Sequence, residues 1–263
     1  MLGDYELFKK DFLKLSGLDL SFYKERQMKR RINSFISRKG HSTYKSFFNS
    51  LTLDKKLYDE FINYLTINVS EFFRNPTQWD VLEREILPYL FNYSSTLKVW
   101  SAACSTGEEP YSLVMLLSKF LDLNKIKVLA TDVDTSAIDK AKLGLYSEKS
   151  LTNLPKDFIS KYFKKINNSF KISEEIKNCV QFEHHNLLKD RYPLNCDLIV
   201  CRNVLIYFTE DAKDIVYKNF NHSLSEYGIL FVGSTEQIIM SQKYKLEPVK
   251  TFFYKRVKKD SEI

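Results

Sequence analysis

Lys98-Val-Trp-Ser-Ala-Ala-Cys-Ser-Thr-Gly-Glu-Glu-Pro-Tyr-Ser112 runs from an apolar strand pattern into small and turn residues and on into a helix start. Leu97, Val99, Trp100, Ala102 and Ala103 suit a strand buried on both faces, and Leu113, Leu116, Leu117 and Phe120 recur at helical spacing. Pro110 fits the first helical turn, where its missing N–H costs nothing. In an α/β sheet such a turn lays free backbone N–H groups along a crevice at the carboxyl end of the strand. One glycine, Gly107, stands in this loop, so it is not the three-glycine dinucleotide fingerprint. The paired acids Glu108 and Glu109 would repel a phosphate and suit a ligand that carries positive charge.

Outward from this stretch, strand and helix patterns alternate: strand 97–103, helix 109–121, strand 126–131, helix 135–143, strands 179–183 and 197–201, helix 210–224, strand 227–233 and a last strand near 250–257. Alternation of this kind predicts a mostly parallel, Rossmann-like α/β sheet covered by helices on both faces. Residues 145–178 are irregular, and 164–178 fits a small hairpin or a helix equally. Towards the N-terminus only helices are expected, over 4–15, 21–39, 42–51 and 53–65, with Gly17 and Gly40 as stops and Ser42 as an N-cap. Leu65 to Thr77 breaks the periodicity and leads into a helix over 77–91. Two domains follow: a small all-α one over 1–68 and the α/β one over 69–263.

The 263 residues carry 44% hydrophobic side chains, enough for a core, and no apolar run nears the ~18 residues of a membrane span. The start, Met1-Leu-Gly-Asp-Tyr-Glu, has neither the charged nor the apolar region of a leader, so cytoplasmic residence is expected. Cys104, Cys179, Cys196 and Cys201 lie in apolar runs without a C-x-x-C pair and read as reduced, buried thiols. His184 and His185 are neighbours on a strand and point to opposite faces, which argues against a metal site. The net charge of +7 is concentrated: eight Lys or Arg stand against the single acid Glu25 between Lys24 and Lys45.

Two further strand ends carry polar groups. Ile126-Lys-Val-Leu-Ala-Thr-Asp-Val-Asp134 ends in two acids; Asp134 reads as a helix cap, leaving Asp132 without a structural duty and placed to accept hydrogen bonds from ribose hydroxyls. Cys196-Asp-Leu-Ile-Val-Cys-Arg-Asn-Val-Leu-Ile-Tyr-Phe208 brings Arg202 and Asn203 to the same edge, followed by Tyr207, which alone reads first as a core aromatic. The Asn/Asp-Pro-Pro-aromatic segment of nucleic-acid amino-methyltransferases is missing. There is also no Pro-Cys pair to supply the thiolate of a cytosine C5 mechanism.

Ser101-Ala-Ala-Cys-Ser-Thr-Gly-Glu-Glu-Pro-Tyr-Ser112 closely resembles the signature of the chemotaxis receptor glutamate methyltransferases, the CheR family, which use S-adenosylmethionine. Asn68-Val-Ser-Glu-Phe-Phe-Arg74 resembles the family stretch that precedes the methyltransferase domain, and Leu230-Phe-Val-Gly-Ser-Thr-Glu236 resembles its strand after the last helix. The resemblance implies a cofactor site made of Asn68, Ser70, Arg74, Glu109 on the methionine amino group and Asp132 on the ribose. Asn186-Leu187 and Arg202-Asn203 would line the adenine side and the methionine moiety. Two departures stand out: Ser34, Phe35 and Ser37 occupy helix positions where the family carries further arginines, and 164–178 lacks the glycine-containing hairpin with which some members grip a receptor's C-terminal pentapeptide.

The implied reaction moves a methyl group from S-adenosylmethionine to a chemoreceptor glutamate, leaving S-adenosylhomocysteine and a methyl ester. A solvated glutamate has a pKa near ~4.3 and needs no strong base, so catalysis rests on alignment. Arg74 and Tyr207 are the candidates for placing the incoming carboxylate. Two alternatives keep the cofactor: a different protein or small-molecule acceptor, or a signalling module that binds without transfer. For the basic helix, nucleic acid would call for aromatics among the charges and a membrane surface would need the apolar face free. Both features are missing, so Arg26, Lys29, Arg30 and Arg31 are expected to dock an acidic receptor helix, from a monomer that binds no nucleic acid and inserts into no membrane.

Overall fold

Asp4, Thr43 and Asp54 each stand one residue before a helix and turn a side-chain oxygen back on its first free N–H groups. A computed structural model of the chain describes residues 4–257. It divides into two units, Met1–Asn68 with Tyr207–Lys213, and Val69–Ile206 with Asp214–Ile263.

The first unit holds α1 (Tyr5–Ser16), α2 (Glu25–Arg38), α3 (Tyr44–Leu53) and α4 (Lys55–Thr66). Gly17 ends α1 in the left-handed region, its N–H on the Leu13 carbonyl at 2.8 Å. Thr43 caps α3 in place of Ser42, because the helix begins at Tyr44 and the hydroxyl of Thr43 reaches Ser46 N at 3.1 Å. Likewise α2 starts at Glu25 and not near 21: Leu20–Phe22 form a separate 3-10 turn capped by Asp19, and Tyr23 is extended and bridges Phe208. Phe12, Phe35, Phe47 and Phe61 are buried together, with Phe47 and Phe61 edge-on at 4.9 Å between centroids. Each such side chain contributes about 1.5–3 kcal/mol on burial.

In the second unit, α5 (Pro76–Val81), a π-helical turn (Leu82–Ile86) and α6 (Leu87–Phe91) run on as one helical stretch with Pro76 in its first turn. Then come β1 (Val99–Ala102), α7 (Glu108–Leu117), β2 (Val128–Asp132) and α8 (Thr135–Leu143). Next are β3 (Leu145–Ser147), α9 (Lys156–Tyr162), β4 (Phe163–Ile166), β5 (Ser169–Ile172) and α10 (Glu174–Lys177). The unit ends with β6 (Val180–His184), β7 (Cys196–Cys201), α11 (Glu210–Ser223, which starts in the first unit), β8 (Leu224–Val232), β9 (Leu246–Lys250) and β10 (Phe253–Arg256).

The main sheet has seven strands in the order β6-β2-β1-β7-β8-β10-β9, parallel from β6 to β8 and antiparallel beyond. The chain passes from β1 to β2 on one side and later returns to β7 on the other, so the carboxyl end of β1 is a switch point where ligand crevices form. A hairpin replaces the single last strand expected near 250–257; Pro248, tolerated because β9 is an edge strand, masks the strand pattern.

Segment 145–178, left undecided by its pattern, contains a three-stranded antiparallel sheet in the order β3-β5-β4. The β4–β5 hairpin forms without glycine, because Asn167 takes the left-handed turn position at φ 54°. No helix among the described residues is long and apolar enough to cross a membrane.

Candidate active site

The loop that leaves β1 is wound tightly: Ala103, Ser105 and Gly107 have φ of 66°, 49° and 95°. Left-handed backbone at non-glycine residues persists only where the surroundings hold it. Here they do. Cys104 N donates to the Thr131 carbonyl (2.9 Å), Ser105 N to Asp132 Oδ2 (2.8 Å), and the buried Tyr146 hydroxyl of β3 to the Thr106 carbonyl (2.8 Å). A Cβ on Gly107 would meet Ala141 Cβ at 2.8 Å, so glycine is also required sterically.

Helix α7 then presents its two acids in its first turn. Glu108 accepts from the Thr106 hydroxyl at 2.7 Å and from Ser70, and burial pushes its carboxyl up. Glu109 Oε1 accepts from the Ser101 hydroxyl at 2.8 Å, and Oε2 lies 3.8 Å from Arg202 Nη1. Burial pushes the Glu109 carboxyl up to about 7, against the pull of Arg202 and Ser101. Asp132 is pushed up to about 6, again by burial, although Ser105 N and Asp134 N (2.9 Å) donate to its two oxygens. Carboxyls raised by burial at one sheet edge mark a candidate binding site.

Arg202 is buried among three acceptors of one segment: its Nη2 donates to the Arg74 carbonyl (2.7 Å), Gln78 Oε1 (2.8 Å) and Asn75 Oδ1 (3.2 Å). Its guanidinium lies over the rings of Phe231 and Trp79, at 4.7 and 5.7 Å from their centroids. The segment it grips is held elsewhere too: Phe72 N donates to the Ser150 carbonyl, Phe73 N to the Ser112 hydroxyl, and Trp79 Nε1 to the Arg74 carbonyl, each within 3.0–3.1 Å. Arg74 therefore has a fixed backbone, while its side chain stays 35% exposed, with Nη1 on the Val69 carbonyl and Nε 3.9 Å from Glu71.

Past β7, Asn203 has φ 62° and its N–H donates to Glu236 Oε2 at 2.6 Å. Past β6, Asn186 closes a turn: its Oδ1 accepts from Leu188 N (2.9 Å) and its N–H donates to Asp190 (2.7 Å). Leu187 is buried, its carbonyl accepting from the Tyr192 hydroxyl at 2.7 Å. The carboxyl ends of β1, β2, β6 and β7 thus carry Glu109 on the first helix turn, Asp132, Asn186-Leu187 and Arg202-Asn203 along one edge of the second unit.

The family described as "CheR methyltransferase, SAM binding domain" matches residues 68–253, and "CheR methyltransferase, all-alpha domain" matches residues 3–66. The chain belongs to the CheR methyltransferase family. A chemotaxis protein methyltransferase of Listeria innocua is 43% identical over 252 residues, 95% of this chain and 96% of that one. Those of Borreliella burgdorferi and Escherichia coli K12 are 34% identical over 237 residues (84% and 83% of the two chains) and 32% identical over 231 (84% and 79%). As a CheR methyltransferase the chain is an enzyme that uses S-adenosylmethionine, and the buried carboxyls of Glu109 and Asp132 fit a cofactor that brings an ammonium group and ribose hydroxyls.

One reading changes at these strand ends. Asp132 is not spare: it pins the β1–α7 loop and the start of the β2–α8 turn, and any ligand must share its remaining lone pairs. Arg202 is enclosed and acts on protein groups, Arg74, Asn75, Gln78 and Glu109. Sequence reasoning missed Ser101, Gln78 and Tyr146, and quoted Glu236 without giving it work. For Glu236 the signal was available, an acid right after the apolar strand run and Gly233; for Tyr146 in an irregular stretch there was none.

In the first unit, Asn68 donates from Nδ2 to the Thr66 hydroxyl at 3.1 Å, and the Tyr207 carbonyl accepts from Lys24 N at 2.9 Å. Tyr207 is half-buried. On α2, Met28, Ile32, Phe35 and Ile36 are buried, and Arg26, Lys29 and Arg30 are exposed, Lys29 lying 4.9 Å from the Tyr5 ring centroid. Arg31 differs: it is half-buried, donates to the Tyr64 carbonyl and lies over that ring at 4.6 Å.

Proposed function

We propose that this protein transfers the methyl group of S-adenosylmethionine to glutamate side chains on the cytoplasmic helices of chemoreceptors, working in the cytoplasm as a monomer. The observation that carries this reading is a division of charge. A largely enclosed carboxyl, Glu109, and a buried one, Asp132, are suited to a cationic cofactor, and a part-exposed guanidinium, Arg74, is suited to an anionic acceptor. Glu109 would take the methionine ammonium, Asp132 the ribose, and Asn68, Ser70, Asn186, Leu187, Arg202 and Asn203 the rest of the cofactor's surroundings.

Bound S-adenosylmethionine supplies an electrophilic methyl carbon on a sulfonium sulfur. Transfer of that carbon to an acceptor carboxylate oxygen would break the carbon–sulfur bond and give a thioether and a methyl ester, with no proton for the protein to move. The protein's part is to hold nucleophile, carbon and sulfur in line within about 3–3.5 Å. Arg74 pairs with one acceptor oxygen and leaves the other free to attack, and the Tyr207 hydroxyl orients the same group. Arg26, Lys29 and Arg30 on α2 attract the acidic acceptor helix, with Arg31 bracing α2 against Tyr64. Residues 1–68 would serve docking and 69–263 transfer.

The test is to incubate the protein with methyl-labelled S-adenosylmethionine and a purified chemoreceptor cytoplasmic fragment. Label that enters the fragment and leaves under mild alkali is the expected result; label that survives alkali would mean an amine or sulfur acceptor.

A further inference from the structure

The carboxylate of Glu236 collects main-chain N–H groups. It is only 5% exposed, and Oε2 accepts from Asn203 N (2.6 Å) and Gly233 N (3.0 Å) while Oε1 accepts from Leu205 N (2.7 Å) and Ile206 N (3.3 Å). A buried carboxylate satisfied by main-chain donors from two loops fixes their relative path, because moving either loop leaves charge unsolvated. The first loop is the exit of β7, where Asn203 is held in the left-handed region and where Arg202 turns back to grip residues 74–78. The second is the exit of β8, and its glycine is part of the same device: a Cβ on Gly233 would collide with Glu236 Oε2 and lie 2.9 Å from Asn203 N. On the other side of the sheet's switch point Asp132 does the same for the β1 exit, taking Ser105 N and Asp134 N.

We infer that Glu236 is a positioning residue of the transferase: together with Gly233 it sets the β7 exit in the one backbone conformation that turns Asn203 to the cofactor and starts the run to Tyr207. Glu236 touches neither reactant and acts through Asn203. Its loss therefore lowers cofactor affinity beyond any effect on folding.

Glu236→Gln keeps the shape but replaces one acceptor oxygen by an NH2 that faces main-chain donors, and Gly233→Ala displaces the carboxylate without removing it. Calorimetric titration with S-adenosylmethionine, run well below each variant's melting point, is expected to show affinity weakened by about tenfold or more in both. The double variant is expected to be little worse than either one alone, since both break one contact. Glu236→Asp, which retains the charge but shortens the reach, should fall between wild type and Glu236→Gln and also covers the case in which Glu236→Gln fails to fold. Lowered melting points with wild-type cofactor affinity in Gly233→Ala and Glu236→Asp would overturn the inference and leave Glu236 a purely structural residue. Fully additive losses in the double variant would overturn the shared mechanism. Both readouts involve the cofactor alone, so they stand whichever acceptor the protein methylates.

Discussion

Arg202 donates from Nη2 to the main-chain carbonyl of Arg74 at 2.7 Å, so one buried arginine holds the backbone of another whose side chain is part-exposed, with Nη1 on the Val69 carbonyl and Nε near Glu71. The two have opposite environments, one buried and one part-exposed. Arg202 is desolvated, and burial pulls its pKa down despite Glu109 beside it. Its charge is held by carbonyl and amide oxygens and two aromatic faces, an arrangement that a point-like ammonium cannot reproduce.

Arg202→Ala should therefore be among the most destabilising single changes in the second unit, by about 3–5 kcal/mol, because it strands Glu109 and three acceptors of residues 74–78. Arg202→Lys should recover part of the stability while losing the fork. Urea denaturation measures both, and equal stabilities for Arg202→Lys and wild type would show that the fork is unnecessary.

Cofactor affinity should rise with pH. Burial raises the Glu109 carboxyl from an ordinary 4.5 to about 7, and an ammonium ligand would favour its ionised form. Binding then releases a proton in that window, so the dissociation constant should fall as pH rises from about 5 and level off above about 7. The same raised value gives the empty protein stability at low pH that is lost as pH rises through 7, so stabilisation by ligand should grow over the same range. Titration in buffers of different ionisation enthalpy measures the proton, and a pH-independent affinity with no proton released would remove Glu109 from the ammonium site.

Asp132→Ala and Glu109→Ala should each weaken cofactor binding by about 1.5–3 kcal/mol, the value of a hydrogen bond to a charged group. Asp132→Ala should also lower the melting temperature more than Glu109→Ala, since it frees two main-chain donors, Ser105 N and Asp134 N. Unchanged affinity in both variants would mean the cofactor lies elsewhere.

Much of this was legible in the sequence, for physical reasons that differ by element. The β1–α7 corner shows itself because a strand buried on both faces, a left-handed glycine and a helix first turn each have their own residue requirements, and Asp134 caps α8 as its position demands. The small sheet of β3, β4 and β5 stayed hidden because its strands are short, β4 is mostly exposed and Asn167 replaces the expected glycine. At the site, residue types point to chemistry but not to partners. That Asp132 reaches back to Ser105 N, and that Arg202 faces inward, follow from contacts between segments more than 25 residues apart in the chain.

Tyr207→Phe should leave cofactor affinity unchanged and lower turnover, because only the hydroxyl is removed. Steady-state rates beside a binding titration separate the two effects. Full turnover in a destabilised variant would return Tyr207 to a packing role.

Changing Arg26 and Arg30 together to Glu should raise the apparent KM for a receptor fragment and leave cofactor affinity alone, since both side chains are exposed on α2, whereas Arg31 is engaged with Tyr64. In the wild type this docking should weaken with salt, as expected for contacts screened over about 8–10 Å. A wild-type rate and salt dependence in the double variant would leave the basic face with no part in docking.

The most direct test of the account is to locate the transferred methyl group by tandem mass spectrometry after incubation of the protein, S-adenosylmethionine and a chemoreceptor cytoplasmic fragment. The expected result is a methyl ester on glutamate side chains of the receptor helices, lost when Arg74 is replaced by Ala. A methyl group on lysine, arginine or cysteine, or none on a fragment that other chemotaxis methyltransferases modify, would contradict it.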